Sequence, residues 1–60
     1  MVGIRIQREK CGITQEALAK TLGTDRSTIA KWEAPGRYPR CKLLPRLAEI
    51  FGCTIDELFP

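Results

Sequence analysis

The sequence predicts an all-α fold, a compact bundle of five short helices forming one domain over residues 1–60. Three observations carry that expectation. Apolar residues recur three and four apart in short stretches, no stretch alternates with the period of two that a half-buried strand requires, and glycines and prolines separate the stretches at positions suited to helix ends. A chain this short buries only about 60% of the surface that its unfolded form exposes, so every helix has to share one core.

The first segment runs from Gly3 to Cys11 and stops at Gly12, a residue suited to a helix C-terminus. Ile4 and Cys11 face inward together, Gln7 takes the inward position between them, and Ile6 falls off the stripe, either as a stray surface residue or as a contact with another chain. The second, TQEALAKTLG, opens on Thr14 as N-cap, carries Glu16 in its first turn, presents Leu18, Ala19 and Leu22 as its apolar face and ends at Gly23. The third lies within Thr24 to Gly36, TDRSTIAKWEAPG, with Thr24 or Asp25 as its cap. Ile29 and Trp32 share one of its faces, and Arg26, Ser27, Ala30 and Lys31 point elsewhere. The prolines and glycine of the loop APGRYPR prevent the helix from continuing. The fourth segment, CKLLPRLAEIFG, places Leu43, Leu44, Leu47, Ile50 and Phe51 at helical spacing. Pro45 is tolerated only in a first turn, so this helix begins close to Lys42 and closes at Gly52. In the last, TIDELF, Thr54 and Glu57 have the spacing of a capping box that starts a short helix burying Ile55, Leu58 and Phe59.

Composition narrows the function. Ten Lys and Arg against seven Asp and Glu give a net charge of +3 and a sequence pI of about 9.0, a balance that favours an anionic partner. No apolar run is long enough for a membrane span or a signal peptide, which leads to the expectation of a soluble protein of the cytoplasm with no membrane partner. Three widely spaced cysteines, Cys11, Cys41 and Cys53, in a chain without histidine do not suit a metal site. They are expected as reduced thiols, Cys11 and Cys53 serving as small apolar residues and Cys41 exposed between Arg40 and Lys42. Without histidine or a phosphate-cradling glycine loop, a nucleophile or base has nothing to orient it, so neither catalysis nor a cofactor is expected.

The second and third segments, joined by a short turn containing Gly23, have the arrangement of a helix-turn-helix. Ala19 is small where the helices touch, Gly23 tolerates the positive φ of the turn, and Ile29 and Trp32 anchor the second helix of the pair. In ITQEALAKTLGTDRSTIAKWE, then YP, then LLPRLAEIFGCTIDELF, the chain resembles the phage repressor and Cro-like, XRE-type helix-turn-helix family from Ile4 to Phe59. It departs from that family's pattern in the loop residues APG and in having Gln7 at a site usually apolar or small.

The resemblance implies a lambda repressor-like DNA-binding domain with the helix-turn-helix at the second and third helices, the third lying in the major groove. Arg26 and Ser27 are then the first base readers and Lys31 the next, with Thr28 either beside them or turned to the protein. Arg26 can donate two hydrogen bonds to guanine O6 and N7, whereas the hydroxyls of Ser27 and Thr28 discriminate less. Gln15 and Thr24 are expected on the DNA backbone, together with the basic cluster Arg37, Arg40 and Lys42 around Tyr38. The expected partner is double-stranded DNA, read as a palindromic operator by a homodimer formed either in solution or only on DNA through the fourth and fifth segments, with repression as the outcome. Two competing readings remain. One is a protein-interaction adaptor docking through Ile6, Leu58 and Phe59, and the other is the DNA-binding fragment of a longer regulator.

Overall fold

In a computed structural model that describes residues 1–59, the chain winds through α1 (Val2–Lys10), α2 (Gln15–Leu22), α3 (Arg26–Glu33) and α4 (Leu43–Phe51) and finishes in a 3-10 turn, Ile55–Leu58. There is no strand among the described residues. The fifth expected helix is thus a single 3-10 turn. Its capping box forms as expected, Thr54 Oγ1 accepting from the Glu57 amide at 3.3 Å and Glu57 Oε1 accepting from the Thr54 amide at 3.0 Å, but its four residues allow only one tight turn.

The ends of the other helices follow their sequence signals. Thr14 Oγ1 accepts from the Ala17 amide at 3.0 Å and starts α2. Asp25, not Thr24, caps α3. At the end of α2, Gly23 has φ 71°, a left-handed conformation that a Cβ would disfavour. This lets its own amide donate to the Lys20 carbonyl at 3.2 Å and the Thr24 amide to that of Ala19 at 2.9 Å. The chain therefore turns sharply into α3. Pro45 falls at the third position of α4, within the first turn.

Each of the five elements supplies one fully buried aliphatic side chain: Ile4, Leu18, Ile29, Leu47 and Leu58. Met1, Ala19, Ala48 and Phe51 complete the core, and Ile13, Leu22, Trp32, Leu44, Ile50 and Cys53 pack around it half-buried. Several expectations about burial are corrected here. Trp32 lies at the core's edge, and Ile29 is the side chain of α3 that is wholly enclosed. Cys11 is exposed, because α1 has ended at Lys10 and the chain is already turning. Ile55 and Phe59 are exposed, since a one-turn element presents only Leu58 to the core. Tyr38, amid the basic cluster of the loop, projects with 64% of its surface exposed. Gln7 is buried at the inward position between Ile4 and the end of α1.

The start of the first helix is held by two sets of contacts. The Met1 amino group donates to the carbonyl oxygens of Trp32, Ala34 and Arg37 at 2.5, 2.7 and 2.8 Å, tying the start of α1 to the end of α3. Two residues on, Gly3 lies so close to the terminal turn that an added Cβ would sit 2.0 Å from the Leu58 carbonyl oxygen. Helix propensity favours alanine over glycine by about 1 kcal/mol. Backbone cannot yield like a side chain, however, and overpacking costs about 1–3 kcal/mol. Gly3→Ala is therefore expected to lower stability in urea unfolding; an unchanged or raised midpoint would show that α1 and the terminal turn are not in contact.

Candidate nucleic-acid interface

The packing of α2 against α3 leaves one side of α3 exposed. Arg26, Ser27, Ala30 and Lys31 are exposed there, while Ile29 is buried and Trp32 half-buried on the opposite side. Helical spacing aligns Ser27 with Lys31 and Arg26 with Ala30. The exposed face thus offers a guanidinium, an ammonium and a hydroxyl around one methyl group.

Grooves run along both flanks of this face. One is lined by Arg8, Thr14, Gln15, Glu16 and Arg26, at the N-termini of α2 and α3. The other is lined by Thr24, Thr28, Trp32, Tyr38, Arg40 and Lys42 among its residues. Of the nine residues expected at the interface, the structure groups Gln15 with Arg26 on the first flank, and Thr24, Thr28, Arg40 and Lys42 on the second. Ser27 and Lys31 stand exposed on α3 itself. Arg37 does not line either groove. It is exposed in the turn after α3, where its amide donates to the Ala34 carbonyl and its own carbonyl receives the Met1 amino group.

The cap of α3 shapes what this face can do. Asp25 Oδ1 accepts from the Thr28 hydroxyl at 2.7 Å, the Ser27 hydroxyl at 2.8 Å and the Thr28 amide at 2.9 Å. A hydroxyl has one proton, and in this arrangement both hydroxyls give theirs to Asp25, leaving Ser27 with acceptor capacity toward its surroundings. The Thr28 hydroxyl bond, its amide bond and the Ser27 bond, in that order, hold the Asp25 carboxyl below its ordinary range, with the charge of Lys31 adding to them. A carboxyl depressed in the folded state stabilises the fold above its unfolded pKa of about 3.9, and that stability is lost as pH falls through the folded value. Glu57, depressed chiefly by its bonds to Thr54, acts in the same direction. Stability is thus expected to decline below about pH 4, and Asp25→Asn should flatten part of that decline in thermal melts between roughly pH 2 and 5. An identical acid slope in the variant would remove Asp25 from this role.

A polar network absent from the sequence reading sits beneath the first flank. Glu33, with 8% of its surface exposed, is buried at the end of α3. Arg8 Nε donates to its Oε2 at 2.6 Å, and Gln15 Nε2 donates to its Oε1 at 3.0 Å. Arg8 also reaches the Ile13 carbonyl at 2.8 Å through Nη1. Three helices, α1, α2 and α3, are thereby joined through one carboxylate. The network fixes the side chain of Gln15 at the groove edge, and it offsets a negative charge lying next to the exposed face of α3. Arg8 and Glu33 are separated by most of the helix-turn-helix in sequence, so no local spacing announces them. Among the described residues there is no group of three or more side chains that could hold a metal ion, and no helix is long and apolar enough to cross a membrane.

Several known proteins are similar to this chain in sequence. The chain is 39% identical over 56 residues to the HTH-type transcriptional activator BcrR of Enterococcus faecalis, a match covering 90% of this chain and 28% of that protein. It is 41% identical over 56 residues to an uncharacterized HTH-type transcriptional regulator of Archaeoglobus fulgidus, covering 93% of this chain and 80% of the relative. With the uncharacterized HTH-type transcriptional regulator MJ0272 of Methanocaldococcus jannaschii it shares 40% identity over 57 residues, covering 93% and 85% of the two chains. No solved structure matches the chain. The sequence profile described as helix-turn-helix matches residues 4–58, which takes in all of α2, α3 and α4 and the terminal turn, and the chain belongs to that family.

Proposed function

We propose that this chain is a sequence-specific DNA-binding domain of a transcriptional regulator, working as a binding module and not as an enzyme, and that it lays α3 in the major groove of double-stranded DNA. The observation that carries this reading is the exposed face of Arg26, Ser27 and Lys31 between two grooves edged with donors. In this reading Arg26 takes guanine through a two-pronged contact, and Ser27 accepts from an exocyclic amino group of adenine or cytosine. Lys31 reads further along the groove. Thr28, half-buried and on the flank, contributes at the edge. Gln15 meets the DNA backbone on one side, and Thr24, Arg40 and Lys42 meet it on the other, with Arg37 beyond them.

The size of the domain supports a homodimer on a palindromic operator. Half-sites read from one face of DNA lie about 34 Å apart. The longest extent of the Cα trace is 24 Å, so two domains centred on such half-sites leave roughly the 8–10 Å that packed side chains bridge between helix axes. The two domains can meet without a bridging segment, through the α4 and terminal-turn end of the molecule, in solution or once on DNA. Occupancy of an operator by so small a domain represses by obstruction, and this is the role we propose, in the cytoplasm where the DNA lies. A second reading, that the domain acts as the DNA-binding part of a longer regulator, is favoured by the relative in which the matching stretch is only 28% of the protein.

Selection from randomised duplex DNA at about 100 mM salt tests the proposal, because specific binding survives there while purely electrostatic binding weakens steeply. Enrichment of a two-fold symmetric motif with half-site centres about 10 base pairs apart is the expected result. A folded protein that enriches nothing would overturn it in favour of the protein-interaction adaptor.

A further inference from the structure

Cysteines 11 and 53 lie far apart in sequence and come together where the ends of α1 and α4 meet. The Cys11 thiol donates to the carbonyl oxygen of Phe51, the last residue of α4, at 3.4 Å. Gly52 then turns the chain in the left-handed conformation, and Cys53 follows, its amide bonded to the Ala48 carbonyl at 2.9 Å. Cys53 is thus two residues from the group that Cys11 touches. Burial, then the Glu57 carboxylate and the charge of a Cys11 thiolate, push the Cys53 thiol up. Cys11 is exposed, and Cys53 is half-buried against the core. Both sit outside helix interiors, where the backbone can adjust to the Cα separation of about 4.4–6.8 Å that a disulfide requires.

We propose that Cys11 and Cys53 are a thiol pair modified by peroxides, closing an intramolecular disulfide that staples the end of α1 to the end of α4. In the first step the Cys11 thiolate attacks a peroxide oxygen, the O–O bond breaks, and the sulfur becomes a sulfenic acid with release of one water or alcohol. The proton of Cys11 goes to the oxygen released in that step; in the second step the Cys53 thiolate attacks the Cys11 sulfur, the S–O bond breaks, and the departing hydroxide takes up the proton of Cys53 and leaves as water. One peroxide is reduced by two electrons, and the two thiols supply them. The exposed cysteine meets the oxidant, and the half-buried one resolves it.

The consequence is mechanical. The bond closes a loop of about 40 residues that contains the whole of α2, α3 and α4, and long loops gain most from cross-linking because the unfolded chain loses most freedom. Neither cysteine lies on the exposed face of α3, so oxidation hardens the fold without covering the proposed reading surface. Cys41 precedes α4 while Cys53 follows it, and the nine residues of that helix at about 1.5 Å each keep the two apart. Cys41 therefore serves as an internal control.

The test treats the folded 60-residue chain carrying Cys41→Ser with one equivalent of hydrogen peroxide. Expected are a monomer lighter by two hydrogens, a proteolytic fragment linking Cys11 to Cys53, and a melting temperature higher by on the order of 10 °C that a thiol reductant reverses. Adding Cys53→Ser should stop the reaction at a sulfenic acid on Cys11 that a dimedone probe captures. Oxygen added to sulfur without a link in the Cys41→Ser chain, or links only between molecules, would overturn the proposal. So would a linked protein that melts no higher than the reduced one.

Discussion

Glu33→Ala is expected to lose about 3–5 kcal/mol of folding stability, because it leaves the guanidinium of Arg8 without its carboxylate in a site that water scarcely reaches. The side chains of Arg8 and Glu33 are 13% and 6% exposed, and their contact is 2.6 Å. A domain of this size has in total only about 3–9 kcal/mol to lose, so the variant should be largely unfolded near body temperature. The magnitude reflects an uncompensated charge and not the worth of the pair. Replacing both partners, Arg8→Met with Glu33→Leu, should therefore recover most of the loss, as apolar replacements of buried ion pairs often do. Urea unfolding followed by the fluorescence of Trp32 measures both. A loss below about 1 kcal/mol for Glu33→Ala would mean that the pair is solvated like a surface ion pair.

This pair marks the boundary of what the sequence makes legible. Thr14, Gly23, Pro45 and the Thr54 to Glu57 box act through neighbours within a turn of themselves, and the elements they delimit appear where those signals place them. The inward stripe of each helix is legible for the same reason, and Leu18, Leu47 and Leu58 are buried as their spacing suggests. What escapes is whatever depends on two distant stretches arriving at one place. The burial of Glu33 against Arg8, the approach of Gly3 to the Leu58 backbone and the meeting of Cys11 with the end of α4 have no local pattern. A residue's place at the edge or the centre of the core is similarly non-local. Hence Trp32, expected as the anchor, sits at the rim, and Ile55, on a turn too short to wrap inward, remains outside.

The interface shows the same division. The exposed residues of α3 follow from helical period alone once Ile29 faces the core. The grouping of the flanking residues does not, since Arg37 is close in sequence to Arg40 and Lys42 yet lines neither groove that borders α3. The state of the hydroxyls is set by a single side chain, Asp25, which caps α3 and at once fixes the protons of Ser27 and Thr28. A serine expected to be permissive becomes, in this arrangement, an acceptor.

Arg26→Ala is expected to cost about 1–3 kcal/mol in binding the preferred operator and to relax the choice at one base pair of each half-site. The side chain is exposed and is not part of the core, so the fold should be unaffected. Arg40→Ala is the contrasting variant. Removing one phosphate contact should weaken all sequences alike and reduce the salt slope of binding by about one. The two variants separate reading from gripping, because both remove one positive charge and only Arg26→Ala should change which sequence is preferred.

The most direct measurement is therefore the affinity of the wild-type chain and of Arg26→Ala for every single-base-pair substitution of the selected operator, at one salt concentration. If α3 reads bases, the wild type discriminates at several positions, and the variant loses discrimination at one symmetric pair of positions while keeping the rest. Equal, sequence-blind weakening at every position would contradict that account and leave Arg26 as one more contact to the phosphates.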